Sequence, residues 1–167
     1  MTASKDWTVD ALLPAEMAVR AEKVGVLKAR MSLFTLFALG VLAGIFIALG
    51  AIFATTVTAP TMGVDPATGE PLAAYLPFGI SKLIGGFSFC LGLILVVVGG
   101  AELFTGNNLI IMAWANKRIS TSSVLRNWGI VYVGNFVGAI LTVIAVLLSG
   151  QFTFGNGAVG LNAFNIA

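Results

Sequence analysis

Histidine is absent from the 167 residues, and Cys90 is the one cysteine. Without imidazoles or a thiol cluster, the chain cannot build a zinc site or a His-based catalytic triad. A lone cysteine excludes a disulfide framework. No nucleophile and base form a catalytic constellation, so neither enzyme chemistry, a metal nor a cofactor is expected. Charge is nearly as scarce, at 10% of residues and a net +2, and no nucleic-acid partner is expected. What remains is 58% hydrophobic, with 20 glycines and a mean hydropathy of +1.00. That is the composition of a multi-spanning membrane protein, in which small residues let helices approach closely.

The few charges are informative by position. Eight of the nine basic residues (Lys5, Arg20, Lys23, Lys28, Arg30, Lys117, Arg118 and Arg126) fall in two patches read as soluble, and Lys82 stands apart. Residues 1–30 hold the first patch. Pro14 and Glu16 mark a helix start, and Met17, Ala21 and Val24 share one face of a short amphipathic helix expected to end near Gly25. Such a helix lies on the membrane-facing body or docks a partner. Charges run through these first residues with no small-residue cleavage site, unlike a signal peptide.

Spans are expected at about 32–56, at 77–116 with a break near 99–107, and at 127–148. The membrane domain is thus 31–149, followed by an uncharged tail, 150–167. Gly40, Gly44 and Ala48 form a small-residue stripe on the first span; Gly134 and Gly138 repeat the spacing on the third, where Asn135 reads as interhelical glue. Residues 57–75 read as a loop with Pro60, Pro66, Pro71, Asp65 and Glu70 but no base. Basic residues mark the cytoplasmic side of short loops. The N-terminus and the 117–126 patch are therefore inside, and the 57–75 loop and the tail outside.

The second apolar stretch, residues 76–117, decides the architecture. As a straight helix its roughly 40 residues would run about 60 Å, against a bilayer core of about 30 Å. It cannot cross twice either, because Lys117 and Arg118 would then lie outside and Leu109–Asn116 is too short to span. One crossing by a broken helix satisfies both limits: it unwinds at Gly99–Gly100, passes through an irregular loop with Glu102, and leaves as a short second helix. Irregular backbone at that depth must be buried in protein or line a cavity, which points to a permeation or binding site. The short helix presents an N-terminus favourable to an anion, with Thr105, Asn107 and Asn108 as caps, anion contacts or both. Glu102 reads as structural, accepting loop hydrogen bonds or pairing with a base. Lys82 either snorkels or draws anions to an outer vestibule. Phe89 and Leu93 share a face and, with Leu103, are either packing or hydrophobic constrictions.

The run GGFSFCLGLILVVVGGAELFTGNN resembles the signature of the formate/nitrite transporter family, RNWGIVYVGNFVGAIL resembles its following helix, and LLPAEMAVRAEKVGVLKA its formate-channel branch. The resemblance covers essentially the whole chain. It implies an all-α, aquaporin-like fold of two inverted three-helix repeats, assembled as pentamers with one pore per protomer for small monovalent anions such as formate or nitrite. By match of motif, Phe89 and Leu93 correspond to pore-lining residues, Leu103 to the inner constriction, and Thr105 to the loop threonine facing a pore histidine. The second repeat, with that histidine, has no counterpart here, so the chain reads as the first half of such a protein. The expected function is passage of formate or a similar anion across the bacterial cytoplasmic membrane. The alternative is a membrane-embedded docking subunit whose residues 1–30 bind a cytosolic formate-metabolising enzyme.

Overall fold

A computed structural model describes residues 12–64, 68, 71–74 and 76–167. Lys5, Asp65, Pro66 and Glu70 lie outside the described residues. The elements are α1 (Pro14–Ala29), α2 (Leu33–Val57), β1 (Thr61–Val64), β2 (Pro71–Ala74), α3 (Phe78–Val98), α4 (Phe104–Asn107), α5 (Ile111–Ala115), α6 (Thr121–Ser149) and α7 (Ala158–Ile166). A 3-10 turn, Asn108–Ile110, joins α4 to α5 into one short helical run. Among the described residues, α2, α3 and α6, with 25, 21 and 29 residues, are long and apolar enough to cross a membrane.

α2 is the central helix, with α6 on one side and α3 on another. Both contacts are made by glycine, because van der Waals packing of close backbones replaces the hydrophobic drive that lipid cannot supply. A Cβ at Gly44 would collide with the Asn135 carbonyl oxygen, and one at Gly138 with the Val41 carbonyl oxygen. On the α3 side, a Cβ on Gly50 would lie 2.9 Å from the Phe89 carbonyl oxygen, and one on Gly92 2.8 Å from that of Phe46. Gly40 and Gly44 of the stripe expected on the first span face α6, and Gly50, outside that stripe, faces α3.

Several boundaries differ from the sequence expectation for identifiable reasons. α1 runs past Gly25 to Ala29. Gly25 is no terminator: it is buried where a Cβ would come within 3.1 Å of the Ala113 Cβ. The seated face of α1 is therefore Gly25 and Ala29, whereas Met17 and Val24 are exposed. α6 begins at Thr121 rather than near residue 127, because Ser120 caps it by accepting from the Ser123 N–H. Residues 57–75 contain a β-hairpin, with Thr61 opposite Ala74 and Val64 opposite Pro71; Pro71 is tolerated as the first residue of its strand. The tail is not extended. Gly150, at φ 70°, ends α6, and α7 returns to α2, where the Asn162 amide donates to the Thr55 carbonyl and the Thr58 hydroxyl at 2.8 and 3.0 Å.

Gly44→Ala should lower the apparent Tm of the membrane-extracted protein by several degrees. Gly129→Ala should leave it unchanged or raise it slightly, since nothing lies within 4 Å of that position and alanine is the better helix former. Equal melting of the two variants would contradict backbone-to-backbone packing at α2–α6.

Candidate functional site at the helix break

The second span ends as the glycine pair dictates. Gly100 adopts φ 61°, a left-handed conformation that side chains disfavour. Its N–H donates to Val97 O, and the Ala101 N–H donates to Val96 O. These two bonds form a Schellman motif that stops α3 without orphaning its last carbonyls. Residues 101–103 then run outside any helix, and the Glu102 backbone groups find partners on other helices. The Glu102 N–H donates to Leu39 O of α2 at 3.1 Å. Asn135 of α6 does the rest: its amide donates to Gly40 O and Glu102 O at 2.8 and 2.9 Å, and its Oδ1 accepts the Phe104 N–H at 2.9 Å. Leu39 is six residues into α2, so the break lies about 9 Å along that helix from its start at the basic end.

Asn135 is therefore the N-terminal cap of the short helical run, supplied from another span. Thr105, Asn107 and Asn108 are not caps, since no side-chain cap bond closes α4 from within. Asn107 is not an anion contact either. It is fully buried; its Oδ1 accepts from Lys28 Nζ at 3.0 Å and its Nδ2 donates to Asn127 Oδ1 at 3.0 Å. Its backbone carbonyl also accepts the Trp128 indole N–H. Asn108 is exposed. Thr105 is exposed, and its hydroxyl has no hydrogen-bond partner among the described residues.

Glu102 is 3% exposed, and Lys28 Nζ donates to both its carboxylate oxygens at 2.7 Å. The lysine comes from α1, in the patch read as soluble, and its three ammonium hydrogens have three acceptors: the two Glu102 oxygens and Asn107 Oδ1. Asn127 Nδ2 closes the cluster on Lys28 O at 3.2 Å. α1, the break and α6 are thereby tied into one polar knot. The seat of α1 is reinforced outside it. Arg126 donates to Ala29 O and Met31 O at the end of α1, and Glu22 accepts from Asn116 and Arg118 at 2.6 and 2.7 Å. Those two donors, the Asn116 amide foremost, hold the Glu22 carboxyl below its ordinary pKa.

Phe89 and Leu93 project from the side of α3 that flanks its buried Ser88–Gly92–Val96 seam, and both are exposed. Lys82, seven residues before Phe89, falls on that same face; its Nζ sits 5.4 Å from the Phe78 ring centroid. Leu103 is half-buried against Ala43, Val96 and Ala101. Phe104, just after it, is held edge-on by Tyr132 and Trp128. The open α3 face and the exposed Thr105 thus flank a rigid break. Asn135, expected as interhelical glue, does bridge α6 to α2 and also to the break; Lys28 and Asn127 are the supports of the break that the sequence reading does not single out. The signal available for them was polarity: a base in α1 and an amide in α6.

Replacing Lys28 with alanine leaves a buried carboxylate unpaired, which costs about 3–5 kcal/mol. Lys28→Ala should therefore lower the apparent Tm sharply, and Lys28→Met/Glu102→Gln should regain part of it. Unchanged melting in Lys28→Ala would rule out the pair as a support. For Glu22 the folded pKa is lowered, so its contribution is present above the usual carboxylate pKa of about 4.3 and lost as pH falls through the lower folded value. Protection of the α1 backbone amides, taken relative to their intrinsic exchange rates, should fall below about pH 4, and Glu22→Gln should remove most of that pH dependence.

The family model described as formate/nitrite transporter matches residues 15–167. The chain is 44% identical over 158 residues to the formate channel FocA of Escherichia coli (strain K12), an alignment covering 95% of this chain and 51% of that protein. FocA of Haemophilus influenzae is 39% identical over 151 residues, covering 90% and 49%. The formate channel BtFdhC of Bacillus thuringiensis is 35% identical over 144 residues, covering 86% and 51%. A solved structure described as a pentameric formate channel with formate bound aligns at a TM-score of 0.67 and 41% identity, covering 80% of this chain and 48% of that one. The chain thus spans about half the length of the curated relatives it matches.

Proposed function

The chain belongs to the formate/nitrite transporter family, and from that premise we propose that it forms one wall of a pore passing small monovalent anions, formate first among them. The observation that carries this reading is the break itself: an irregular segment fixed at membrane depth beside an open helix face with Lys82, Phe89 and Leu93 along it. The likeness to a pentameric formate channel supports both the substrate class and assembly as a homo-pentamer in the bilayer.

The basic residues set the direction. Residues 1–30 and the 117–126 patch face the cytoplasm of a bacterial cell, 31–149 form the membrane domain, and the hairpin and residues 150–167 face outward. An anion meets Lys82 in the outer vestibule, then the Phe89 and Leu93 constriction, then Leu103 and Thr105 at the break. Bare charge in such an apolar slit is strongly disfavoured, so a hydrogen-bond donor or a proton must meet the anion there. Thr105, whose hydroxyl is exposed and unengaged among the described residues, is the donor this chain offers. Glu102 does not repel the anion, because the Lys28 ammonium pairs with it. Leu103, backed by Ala43, Val96 and Ala101, supplies a constriction with little room to give.

The test is formate flux into proteoliposomes carrying the protein that contains this chain. Loss of one hydrogen bond to a charged group is worth about 1.5–3 kcal/mol, so Thr105→Ala should slow flux by roughly tenfold to a hundredfold and change its pH profile. Leu103→Ala should admit larger monovalent anions. Flux and pH profile unchanged in Thr105→Ala would overturn the role of Thr105, and no flux above empty vesicles in the unmodified protein would overturn the function.

A further inference from the structure

We propose that the cleft between α1 and the α5–α6 turn binds the phosphate headgroup of an anionic phospholipid. The cleft is open, about 820 Å³, and lined by Lys23, Arg30, Lys117 and Arg118, with Glu22 its one acid. Glu22 does not neutralise the site as a whole, since its carboxylate is taken by Arg118 and Asn116. Lys23, Arg30 and Lys117 are exposed and carry no ion pair among the described residues. Three cations without an ion pair among the described residues therefore line one concavity, and their combined charge favours an anion there.

Lys117 adds a second observation. It holds a left-handed φ of 56°, a conformation that costs a residue with a Cβ roughly 1 kcal/mol or more and that glycine or asparagine adopts readily. The turn is closed by the Lys117 and Arg118 N–H groups on Trp114 O and Ala113 O, which fixes the backbone from which the Lys117 ammonium reaches the cleft.

The surroundings select a lipid over a soluble anion or an acidic protein. Leu27 lines the same cleft and is 66% exposed, and Leu33 and Phe34 open the first span just beyond it, the latter 82% exposed. Trp114, whose indole N–H donates to Thr121 Oγ1, stands exposed at the end of α5; tryptophan concentrates at the membrane boundary. A headgroup in the basic cleft thus leaves its acyl chains beside an apolar rim. Basic pockets at the ends of spanning helices recognise anionic headgroups in this way. The inference rests on the chain's being a membrane protein and not on which anion the pore passes. It has a mechanical consequence: the headgroup bridges α1 to the turn after α5, and α1 carries Lys28, which holds the break.

The experiment is native mass spectrometry and thermal melting of the detergent-extracted protein containing this chain, with phosphatidylglycerol or phosphatidylcholine added. The unmodified protein should retain phosphatidylglycerol preferentially and melt higher with it. Lys23→Gln/Arg30→Gln/Lys117→Gln should weaken that retention roughly a hundredfold, at about fivefold per charge, while Lys82→Gln, far along the chain from the cleft, should retain it. If the triple variant does not fold, Lys117→Gln alone should show about a fivefold loss. Competition by millimolar inorganic phosphate supports the phosphate as the recognised group, and resistance to it supports a site that also needs the chains. Equal retention of the two lipids, or equal retention by the variants, overturns the proposal. Protection by polyglutamate without any lipid preference overturns it in favour of an acidic protein partner.

Discussion

Everything in this fold answers to one constraint: backbone that leaves the helical ladder at membrane depth must find its hydrogen bonds inside the protein. Three residues, 101–103, lie outside the helices between α3 and α4, beyond the Gly99–Gly100 turn. The Schellman bonds close the helix behind them, Leu39 O of α2 takes the Glu102 N–H, and one Asn135 side chain serves Gly40 O, Glu102 O and the Phe104 N–H. An amide suits this job because it offers donors and an acceptor within one planar group. The Thr105 hydroxyl takes no part in it. That economy is what leaves Thr105 available.

The same constraint explains the glycines. Asn135 can reach both Gly40 O and the break only because α6 lies against α2 with almost no side chain between them. A Cβ on Gly44 would strike the Asn135 carbonyl itself. Close packing and loop support are therefore one arrangement: spreading α2 from α6 by a methyl group would lengthen every bond Asn135 makes. On the other side, Gly50 and Gly92 bring α3 to α2 just above the point where α3 must stop.

Much of this was legible in the sequence, and the illegible part has a pattern. The spans follow from hydropathy, the single crossing from length and charge, and the stop from Gly99–Gly100, because each depends on local composition. The side chains that hold the break do not. Asn107 and Asn108 are adjacent and chemically identical, yet one is fully buried between Lys28 and Asn127 and the other is exposed; helical rotation decides that, and a short run that passes from α-helical to 3-10 geometry gives no reliable period to read it from. Gly25 misleads for a related reason: glycine marks helix ends and close contacts alike, and only Ala113 across the interface distinguishes them. The tail misleads because α7 is apolar but only nine residues long, too short to read as a span.

Lys28 shows why charge counting alone misplaces a residue. By composition it belongs to a basic patch at the water boundary, yet its ammonium ends on a carboxylate that is 3% exposed. A lysine can bridge those environments, because its flexible apolar stem crosses the boundary and carries a compact charge inward. The stoichiometry then favours it over arginine. Three N–H donors meet three acceptors: Glu102 Oε1, Glu102 Oε2 and Asn107 Oδ1. Arginine would bring five donors into the same space, leaving two to be buried without partners, which is the more costly error at this depth. The pair is thus matched in charge and in hydrogen-bond count. That match makes α1, by sequence the most soluble-looking helix of the chain, a structural part of the break.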